Sequence, residues 1–252
     1  MDNLWRIVAL DTGTSVIEKS IITYLTDIGR PITIPRIMWY LEGPRRVIVD
    51  TSVRDIQVAT NIIGENLTRR PEQEPWQALQ RIGVDPLTID IVILTHLHWD
   101  HSGNNGMFPN ARFIVQRDEL QYAYAPSPFF EAAFLSPQGG YHSGFRTTRF
   151  YLAEGDEEVL PGLSVVKAAG HTPGSQAVRV KTAKGYYVIA GDAIFTYENL
   201  QKDIPPGFHV DVDQAWRSMH KLANLADEIL PSHDYALFPT PEPQEFGGQR
   251  TI

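Results

Sequence analysis

The sequence contains no cysteine, and this absence excludes disulfide bonds and thiolate metal ligands from its 252 residues. It also lacks a long apolar run, since no stretch approaches the roughly 20 residues that a membrane-spanning helix needs. Basic residues are in the minority: 22 lysines and arginines stand against 30 aspartates and glutamates, a formal net charge of −8. Nucleic-acid-binding proteins usually carry basic patches, so we expect neither a nucleic-acid partner nor a membrane partner.

The first six residues show no basic segment leading into an apolar run, and no secretory signal is therefore expected. Together with the absence of cysteine, this predicts a cytoplasmic protein. The composition is that of an ordinary globular protein, 42% hydrophobic and 21% charged. A chain of this length can bury a large core by itself, and we predict a single domain over residues 1–252.

Histidine is scarce, yet three of the eight histidines fall within the seven residues Thr95–His101. The segment is Thr-His-Leu-His-Trp-Asp-His, and it follows an apolar run that predicts a strand. Imidazole and carboxylate groups are the usual ligands of zinc-like ions. In extended backbone His96 and His98 point to one side and can bind the same ion. Asp100 and His101 are neighbours whose side chains diverge, and they can reach a second ion beside the first.

Three further polar residues follow predicted strands later in the chain, namely His171, Asp192 and His233. Taken alone, each is typical of an ordinary hydrogen-bonded loop residue. Together with Thr95–His101 they bring the set to five histidines and two aspartates. That number of nitrogen and oxygen ligands suits two ions joined by one bridging carboxylate.

The rest of the chain alternates between predicted strands and helices. Strands are predicted at 6–10, 37–41, 47–51, 91–94, 112–116, 151–153, 163–167, 178–180 and 186–190, and helices at 74–82, at 118–123 and from Asp211 or Asp213. Residues 15–35 are interpreted as a helix or a loop, which either covers the core or contacts a partner chain. The aromatic segment 124–149 is interpreted as a loop closing over an apolar ligand pocket or as a packed insertion. The tail 239–252 is expected to be peripheral.

The ordered motifs resemble those of the metallo-β-lactamase superfamily. They are His-x-His-x-Asp-His at 96–101, Gly-His-Thr-Pro-Gly at 170–174, an aspartate at 192 and a histidine at 233. The resemblance implies an α+β fold, the αββα sandwich of two mixed β-sheets flanked by helices. It also implies two divalent metal ions at one edge of the two sheets.

The resemblance also divides the ligands between the two ions. It implies His96, His98 and His171 for the first metal, Asp100, His101 and His233 for the second, and Asp192 as the bridge. Asp50 matches an acidic position that orients a ligand histidine from behind. Zinc is the expected metal, and cobalt, manganese and iron are alternatives for the same nitrogen and oxygen ligands.

Within the superfamily the chain particularly resembles quorum-quenching N-acyl homoserine lactonases, through segments 113–117, 154–162 and 192–199. The resemblance implies a hydrolase that opens an N-acyl homoserine lactone or a related small lactone. The expected reaction is attack by a metal-bridging hydroxide, with Asp100 as the catalytic group that relays a proton to the leaving alkoxide. A thioester or carboxylic-ester hydrolase of the glyoxalase-II type is the alternative, and a non-enzymatic or redox metal protein is a further one.

One position departs from those lactonases, which carry a tyrosine three residues after the bridging aspartate where this chain has Phe195. The ring is kept and the hydroxyl donor is lost, with Tyr197 as a candidate replacement. The substrate pocket is expected between residues 15–40 and the aromatic segment 124–149. The candidate pocket residues are Phe195, Tyr197, Phe129, Phe130, Phe134 and Phe145. A homodimer through residues 15–40 is also expected from the resemblance.

Overall fold

The computed structural model describes residues 4–248; residues 1–3 and 249–252, which include parts of the N-terminal segment and of the predicted tail, lie outside the described residues. The strands are β1 (Arg6–Glu18), β2 (Pro31–Glu42), β3 (Arg46–Val49), β4 (Asn66–Thr68), β5 (Ile91–Ile93), β6 (Arg112–Gln116), β7 (Phe150–Ala153), β8 (Glu157–Leu160), β9 (Leu163–Lys167), β10 (Gln176–Thr182), β11 (Gly185–Ile189), β12 (Glu228–Leu230) and β13 (Gln244–Phe246). The helices are α1 (Lys19–Ile22), α2 (Ile56–Val58), α3 (Pro75–Arg81), α4 (Arg117–Tyr124), α5 (Glu131–Phe134), α6 (Tyr197–Lys202) and α7 (Val212–Asn224). Among the described helices, none is long and apolar enough to cross a membrane.

The strands form two sheets, and both sheets are mixed. The first sheet has the order β13-β1-β2-β3-β5-β6-β7, with β4 paired to β1. Its strands β3, β5, β6 and β7 run parallel, whereas β13, β1, β2 and β3 are antiparallel neighbours. The second sheet has the order β12-β11-β10-β9-β8, in which β11 and β12 are parallel and the other pairs are antiparallel.

The two sheets pack face to face, and helices cover their outer faces. Trp39 of the first sheet and Val178 of the second belong to the same buried cluster between the sheets. Leu79 of α3 packs in a second cluster on the outer face of the first sheet. Met219 of α7 packs on the outer face of the second sheet. These four layers confirm the predicted α+β sandwich.

All three predicted helices are confirmed close to their predicted bounds, and α4 (Arg117–Tyr124) covers the helix predicted at 118–123. Helix α3 spans Pro75–Arg81 and carries its proline in the first turn, where no backbone N–H is needed. Helix α7 begins after Asp211, whose carboxylate accepts a hydrogen bond from the backbone N–H of Gln214. Asp211, rather than Asp213, is therefore the capping residue.

The hairpin of β1 and β2 is the largest departure from the sequence-based prediction. The expected helix or loop over residues 15–35 is wrong at both ends, because β1 continues to Glu18 and β2 begins at Pro31. It is confirmed for residues 19–30, where α1 is followed by turns. The prolines of β2 are tolerated because this half of the strand has β1 alone as a neighbour, whereas β3 pairs only with residues 39–42. The hairpin tip thus extends beyond the rest of the first sheet.

The aromatic segment 124–149 is a packed insertion and not a loop that closes over the pocket. Phe134 and Phe145 are buried in the cluster on the outer face of the first sheet. Phe129 lies at the surface, where 90% of its side chain is exposed. Of the two interpretations of this segment, the structure therefore supports the second.

The loops that carry the predicted ligands all follow strand ends. Asp50 follows β3, Thr95–His101 follows β5, His171 follows β9, Asp192 follows β11 and His233 follows β12. Because β3 and β5 are parallel neighbours, their carboxyl ends meet at the same edge of the first sheet. The topology therefore gathers residues far apart in sequence at one edge of the sandwich.

Glu119, a buried acid in the first turn of α4, fastens two of these loops. Its carboxylate accepts hydrogen bonds from the backbone N–H of Leu97 at 2.8 Å and from the hydroxyl of Thr172. Gly174 permits this close approach, since a Cβ atom there would lie 2.0 Å from the backbone nitrogen of Glu119. The loop after β5 and the loop after β9 are therefore held against the same helix.

The burial of Glu119 predicts a pH-dependent stability. Burial raises the pKa of Glu119 from its ordinary value of 4.5 to about 7, although hydrogen bonds from Thr172 and Leu97 lower it. Between these two pH values the folded state keeps a proton that the unfolded state has released. The free energy of unfolding therefore falls as pH rises through this window, by on the order of 3 kcal/mol, and stays lower above it.

Replacing Glu119→Gln should remove this part of the pH dependence. The measurement is urea unfolding of the parent and the variant across about pH 4.5 to 8, since other titrating groups are common to both proteins. We expect the difference between the two free energies of unfolding to change in favour of the variant as pH rises. Parallel curves for the two proteins would contradict a raised pKa at Glu119.

Candidate metal centre

Three imidazole nitrogens converge in the first group of predicted ligands. His98 Nδ1 lies 3.0 Å from His96 Nε2 and 3.0 Å from His171 Nε2, and the latter two atoms are 3.2 Å apart. All three side chains are buried. Burial lowers the pKa of each ring below the usual range of histidine. The rings are therefore neutral, and each has a nitrogen lone pair to offer.

Asp192 lies between this group and the second group. Its Oδ2 lies 3.3 Å from His171 Nε2. Its Oδ1 lies 3.3 Å from His101 Nε2 and 3.2 Å from His233 Nε2. Asp100 completes the second group, with Oδ2 at 3.4 Å from His101 Nε2 and 3.9 Å from His233 Nε2. Each group is thus faced by a different oxygen of Asp192, which is the arrangement of a bridging ligand.

Hydrogen bonds behind the rings determine which nitrogen faces the centre. His171 Nδ1 donates to the carbonyl oxygen of Phe208 at 2.6 Å, and His233 Nδ1 donates to that of Pro35 at 3.0 Å. A carbonyl oxygen only accepts, so both rings carry their proton on Nδ1. Their Nε2 lone pairs are therefore directed towards Asp192.

Asp50 orients two more histidines from behind. Its Oδ2 accepts hydrogen bonds from His101 Nδ1 at 2.8 Å and from the Thr95 hydroxyl at 2.8 Å. Because the Thr95 proton is used in that bond, the Thr95 oxygen accepts from His96 Nδ1 at 3.1 Å. Asp50 holds this position with a backbone φ of +60°, a conformation that is uncommon for residues other than glycine. The structure thus places Asp50 behind the ligand histidines, as the family resemblance implies.

The carboxylates around the second ligand group stabilise a positive charge placed between them. Burial lowers the pKa of His101, but the carboxylates of Asp192, Asp100 and Asp50 outweigh burial and raise this pKa well above its usual range. Burial raises the pKa of Asp192 and of Asp100, yet the charge of His101 holds both well below the usual range, with a further contribution from Arg36 at Asp100. The two aspartates are therefore ionised, and a cation is stabilised between them.

The donor set fits divalent metal ions. His101 Nε2 and Asp192 Oδ1 are buried and have no hydrogen-bond partner within the described residues. An unpaired buried polar atom costs about 1–3 kcal/mol, and a cation between these two would satisfy both. Within each of three overlapping groups, the side-chain donor atoms lie within 4.8 Å of one another; the groups are His96 with His98 and His171, His96 with His101 and Asp192, and Asp100 with His101 and His233.

A largely apolar cavity of about 500 Å³ opens onto this centre. Residues 16–22 and 29–36 at the hairpin tip form much of its wall, with Phe195 and Phe208 beside the histidines. The predicted wall from residues 15–40 is therefore present. The aromatic segment, in contrast, contributes Ala133 alone to the described lining.

Three of the predicted pocket aromatics lie near the centre. Phe195 lines the cavity, and its ring centroid is 5.6 Å from that of His171. The ring of Phe134 lies 4.4 Å from that of His98, behind the first ligand group. Phe130 packs against Phe208, which itself lines the cavity.

Of the six predicted pocket aromatics, Phe195 alone belongs to the described lining of the cavity, and the prediction is wrong for the other five. The Tyr197 hydroxyl donates to the carbonyl oxygen of Ile229 at 3.1 Å, and its ring packs against the core between the sheets. It therefore does not replace the hydroxyl that Phe195 lacks. Phe145 is buried in the outer core of the first sheet, and Phe129 faces solvent.

Arg36 is a residue of the site that was not predicted from the sequence. Its side chain is 4% exposed and lines the cavity. The guanidinium donates to the carboxylates of Asp100 and Glu65, and Nε donates to Ser15 Oγ at 3.1 Å. A signal was available, because a charge inside an apolar strand is costly unless paired groups surround it.

Comparisons with known proteins agree with this geometry. An N-acyl homoserine lactonase of Bacillus sp. is 29% identical over 232 residues, which is 87% of each chain. A crystal structure of a quorum-quenching N-acyl homoserine lactone hydrolase matches with a TM-score of 0.78 and 26% identity, over 95% of this chain and 96% of that one. The structure of an N-acyl homoserine lactone hydrolase with the product N-hexanoyl-L-homoserine at its catalytic metal centre matches with a TM-score of 0.78 and 25% identity, over 94% and 95%.

The family model of the metallo-beta-lactamase superfamily matches residues 47–233. That range holds Asp50 and every predicted metal ligand, from His96 to His233. The fold agrees as well, with two mixed sheets packed between helices and the ligand loops at one edge. The chain therefore belongs to the metallo-β-lactamase superfamily.

Proposed function

We propose that this protein is a dinuclear-metal hydrolase that opens the ring of N-acyl homoserine lactones or related small lactones. The observation that carries the proposal is Asp192, which presents one oxygen to each of two ligand groups. A cavity of about 500 Å³, the usual size for a small-molecule site, opens onto both groups. The similar proteins described above are N-acyl homoserine lactonases, and this supports a lactone as substrate.

Zinc is the metal that we propose for both positions. Histidine nitrogen and carboxylate oxygen suit zinc, and they also accept cobalt, manganese or iron. A bound metal pair supplies Lewis-acid polarisation of the ester carbonyl and activates a water molecule near neutral pH. The residues that would hold the ions are His96, His98 and His171 for one, Asp100, His101 and His233 for the other, and Asp192 for both.

Ring opening adds one water molecule across the ester bond. The carbonyl carbon gains the hydroxyl group, and the ring oxygen leaves with the proton. We propose that Asp100 carries this proton, because its ionised carboxylate lines the cavity beside His101 and His233. Phe195 and the hairpin tip surround the reacting atoms with apolar surface.

A thioester or other carboxylic-ester hydrolase is the second candidate. Phe195 supports it, because its ring faces the cavity without the hydroxyl that the resemblance implies for the lactonases. Tyr197 is bonded to a backbone carbonyl in the core and supplies no substitute. The same ligand groups could then serve a different acyl ester.

We further propose that the protein is cytoplasmic and that the hairpin tip contacts a second copy of the chain. Leu25 and Ile28, between β1 and β2, are 65% and 73% exposed. Large apolar side chains exposed close together are typical of contact surfaces. The absence of cysteine suits a reducing compartment.

Substitution of a proposed ligand tests the dinuclear centre. In His101→Ala the nitrogen that faces Asp192 and Asp100 is lost. We expect zinc content to fall from about two ions per chain towards one, and kcat/KM to fall at least about 100-fold. Elemental analysis and lactone turnover measure these effects, and circular dichroism checks that the variant is folded.

His220→Ala is the matched control for that variant. His220 lies at the surface of α7, where its ring is bonded to Asp203 at 2.7 Å. Removing it should leave zinc content unchanged and turnover within about twofold of the parent, as for most surface substitutions. If His101→Ala also kept full turnover, the second ligand group would not belong to the reaction centre.

A substrate panel separates the two candidate functions. We expect kcat/KM of the zinc-loaded protein for N-hexanoyl homoserine lactone to exceed that for a hexanoyl thioester by at least about tenfold, which is about 1.4 kcal/mol of transition-state discrimination. Phe195→Tyr, measured beside the parent, should raise lactone turnover more than thioester turnover, because it adds a hydroxyl donor at the cavity wall. A parent that prefers the thioester would refute the lactonase proposal and support the second candidate.

A further inference from the structure

Arg36 is a charged side chain placed next to the reaction centre. It extends from β2 into the cavity wall, where its guanidinium Nη1 donates to Asp100 Oδ2. The same Asp100 oxygen lies 3.4 Å from His101 Nε2 in the second ligand group. The guanidinium therefore bonds directly to Asp100, one of the residues that would hold the second metal.

The guanidinium has more donors than its partners in the protein use. It carries five N–H groups, two on each terminal nitrogen and one on Nε. Within residues 4–248 these donate to Ser15 from Nε, to Asp100 from Nη1 and to Glu65 from Nη2. One N–H group on each terminal nitrogen therefore remains for another acceptor.

The plane of the guanidinium is held in place on several sides. Ser15, Asp100 and Glu65 bond to its three nitrogens, and the Trp99 ring lies 5.1 Å from the guanidinium carbon. Trp99 itself packs in a small buried cluster. Donors fixed in this way need no reorganisation when charge develops on a nearby oxygen.

Other donors are few in this cavity. Apart from the histidines of the two ligand groups, Arg36 and Trp99 are the only lining side chains within residues 4–248 that carry a hydrogen-bond donor. The Trp99 indole offers one neutral N–H, whereas bonds from a charged guanidinium are about twice as strong. Phe195, on the wall beside the histidines, offers none.

The charge around Arg36 suits a neutral substrate that becomes anionic. Asp100 and Glu65 compensate the guanidinium charge before substrate binds, so the site can accept a neutral ester. The remaining N–H groups still strengthen their bonds as negative charge builds on an acceptor. Such donors therefore bind the transition state and an anionic product more tightly than a neutral ester.

We infer that Arg36 is a substrate-binding residue whose remaining N–H groups hold the oxygen of the scissile carbonyl and then the carboxylate of the ring-opened product. Glu65 and Ser15 are positioning residues that fix the guanidinium plane. This inference rests on the proposed lactone hydrolysis at the same site. Arg36 would then supply the hydrogen-bond donor that Phe195 lacks in this cavity.

Binding of the product tests the inference independently of turnover. N-hexanoyl-L-homoserine is titrated by calorimetry into zinc-loaded parent, Arg36→Met and Arg36→Lys. We expect Arg36→Met to weaken product binding about 10- to 100-fold and to lower kcat about 100- to 1,000-fold, with KM for the neutral lactone within about threefold. Arg36→Lys keeps the charge without the planar fork of donors, and should recover part of the product affinity.

Arg69→Met is the matched control, because Arg69 is another buried arginine that does not line the cavity. It donates to the backbone carbonyls of Thr12 and Val53 and pairs with Glu74. Its removal should lower the melting temperature while product affinity and kcat stay within about threefold of the parent. This control separates loss of a buried arginine from loss of a cavity donor.

The inference is overturned if Arg36→Met keeps parental product affinity with full zinc content. It is also overturned if saturating zinc restores parental product affinity to that variant, since Arg36 would then act only by holding the metal. If Arg36→Met does not fold, Arg36→Gln takes its place with the same expected loss. A parent without lactone turnover refutes the proposed function instead, and calorimetry on the same variants still decides whether Arg36 binds the carboxylate.

Discussion

The burial of five histidines and two aspartates at one edge of the sandwich is the constraint on which the rest of the structure depends. None of these side chains is more than 7% exposed. Burying polar and charged groups costs free energy of folding unless they are paired. Here the partners form two sets: an outer set of residues behind the imidazole rings, and an inner set at the centre between the two ligand groups. The outer set consists of Asp50, Thr95 and backbone carbonyls, which fix four of the five imidazole rings, those of His96, His101, His171 and His233, from behind. The inner set, centred on Asp192, requires cations.

The fold supplies both the rigidity and the reaction space that such a centre needs. Glu119 ties the loop after β5 to the loop after β9, so that His96, His98 and His171 keep their mutual positions. The tip of the β1–β2 hairpin extends beyond the rest of the first sheet and forms much of the cavity wall above the centre. The same hairpin carries Arg36, which links the wall to the proposed ligand Asp100. Strand β2 therefore connects the cavity wall directly to the second group of proposed metal ligands.

The sequence predicts which polar side chains converge better than it predicts the pocket, for a physical reason. Four of the candidate ligands lie within Thr95–His101, and their chemistry is visible without knowledge of the fold. The hairpin was missed because two prolines and an irregular apolar pattern hide the first half of β2, which has β1 alone as a neighbour. Tyr197 was misplaced because the orientation of a side chain depends on packing between the sheets. Arg36 was missed because its partner Asp100 is 64 positions away and is reached only through the tertiary fold.

Anomalous X-ray diffraction at the zinc edge, from crystals grown with zinc, tests the bridged dinuclear centre most directly. Two anomalous peaks per chain are expected, with one oxygen of Asp192 facing each of them. The first peak should lie among His96, His98 and His171, and the second among Asp100, His101 and His233. A single peak, or two peaks with both oxygens of Asp192 on the same ion, would contradict the bridged dinuclear centre.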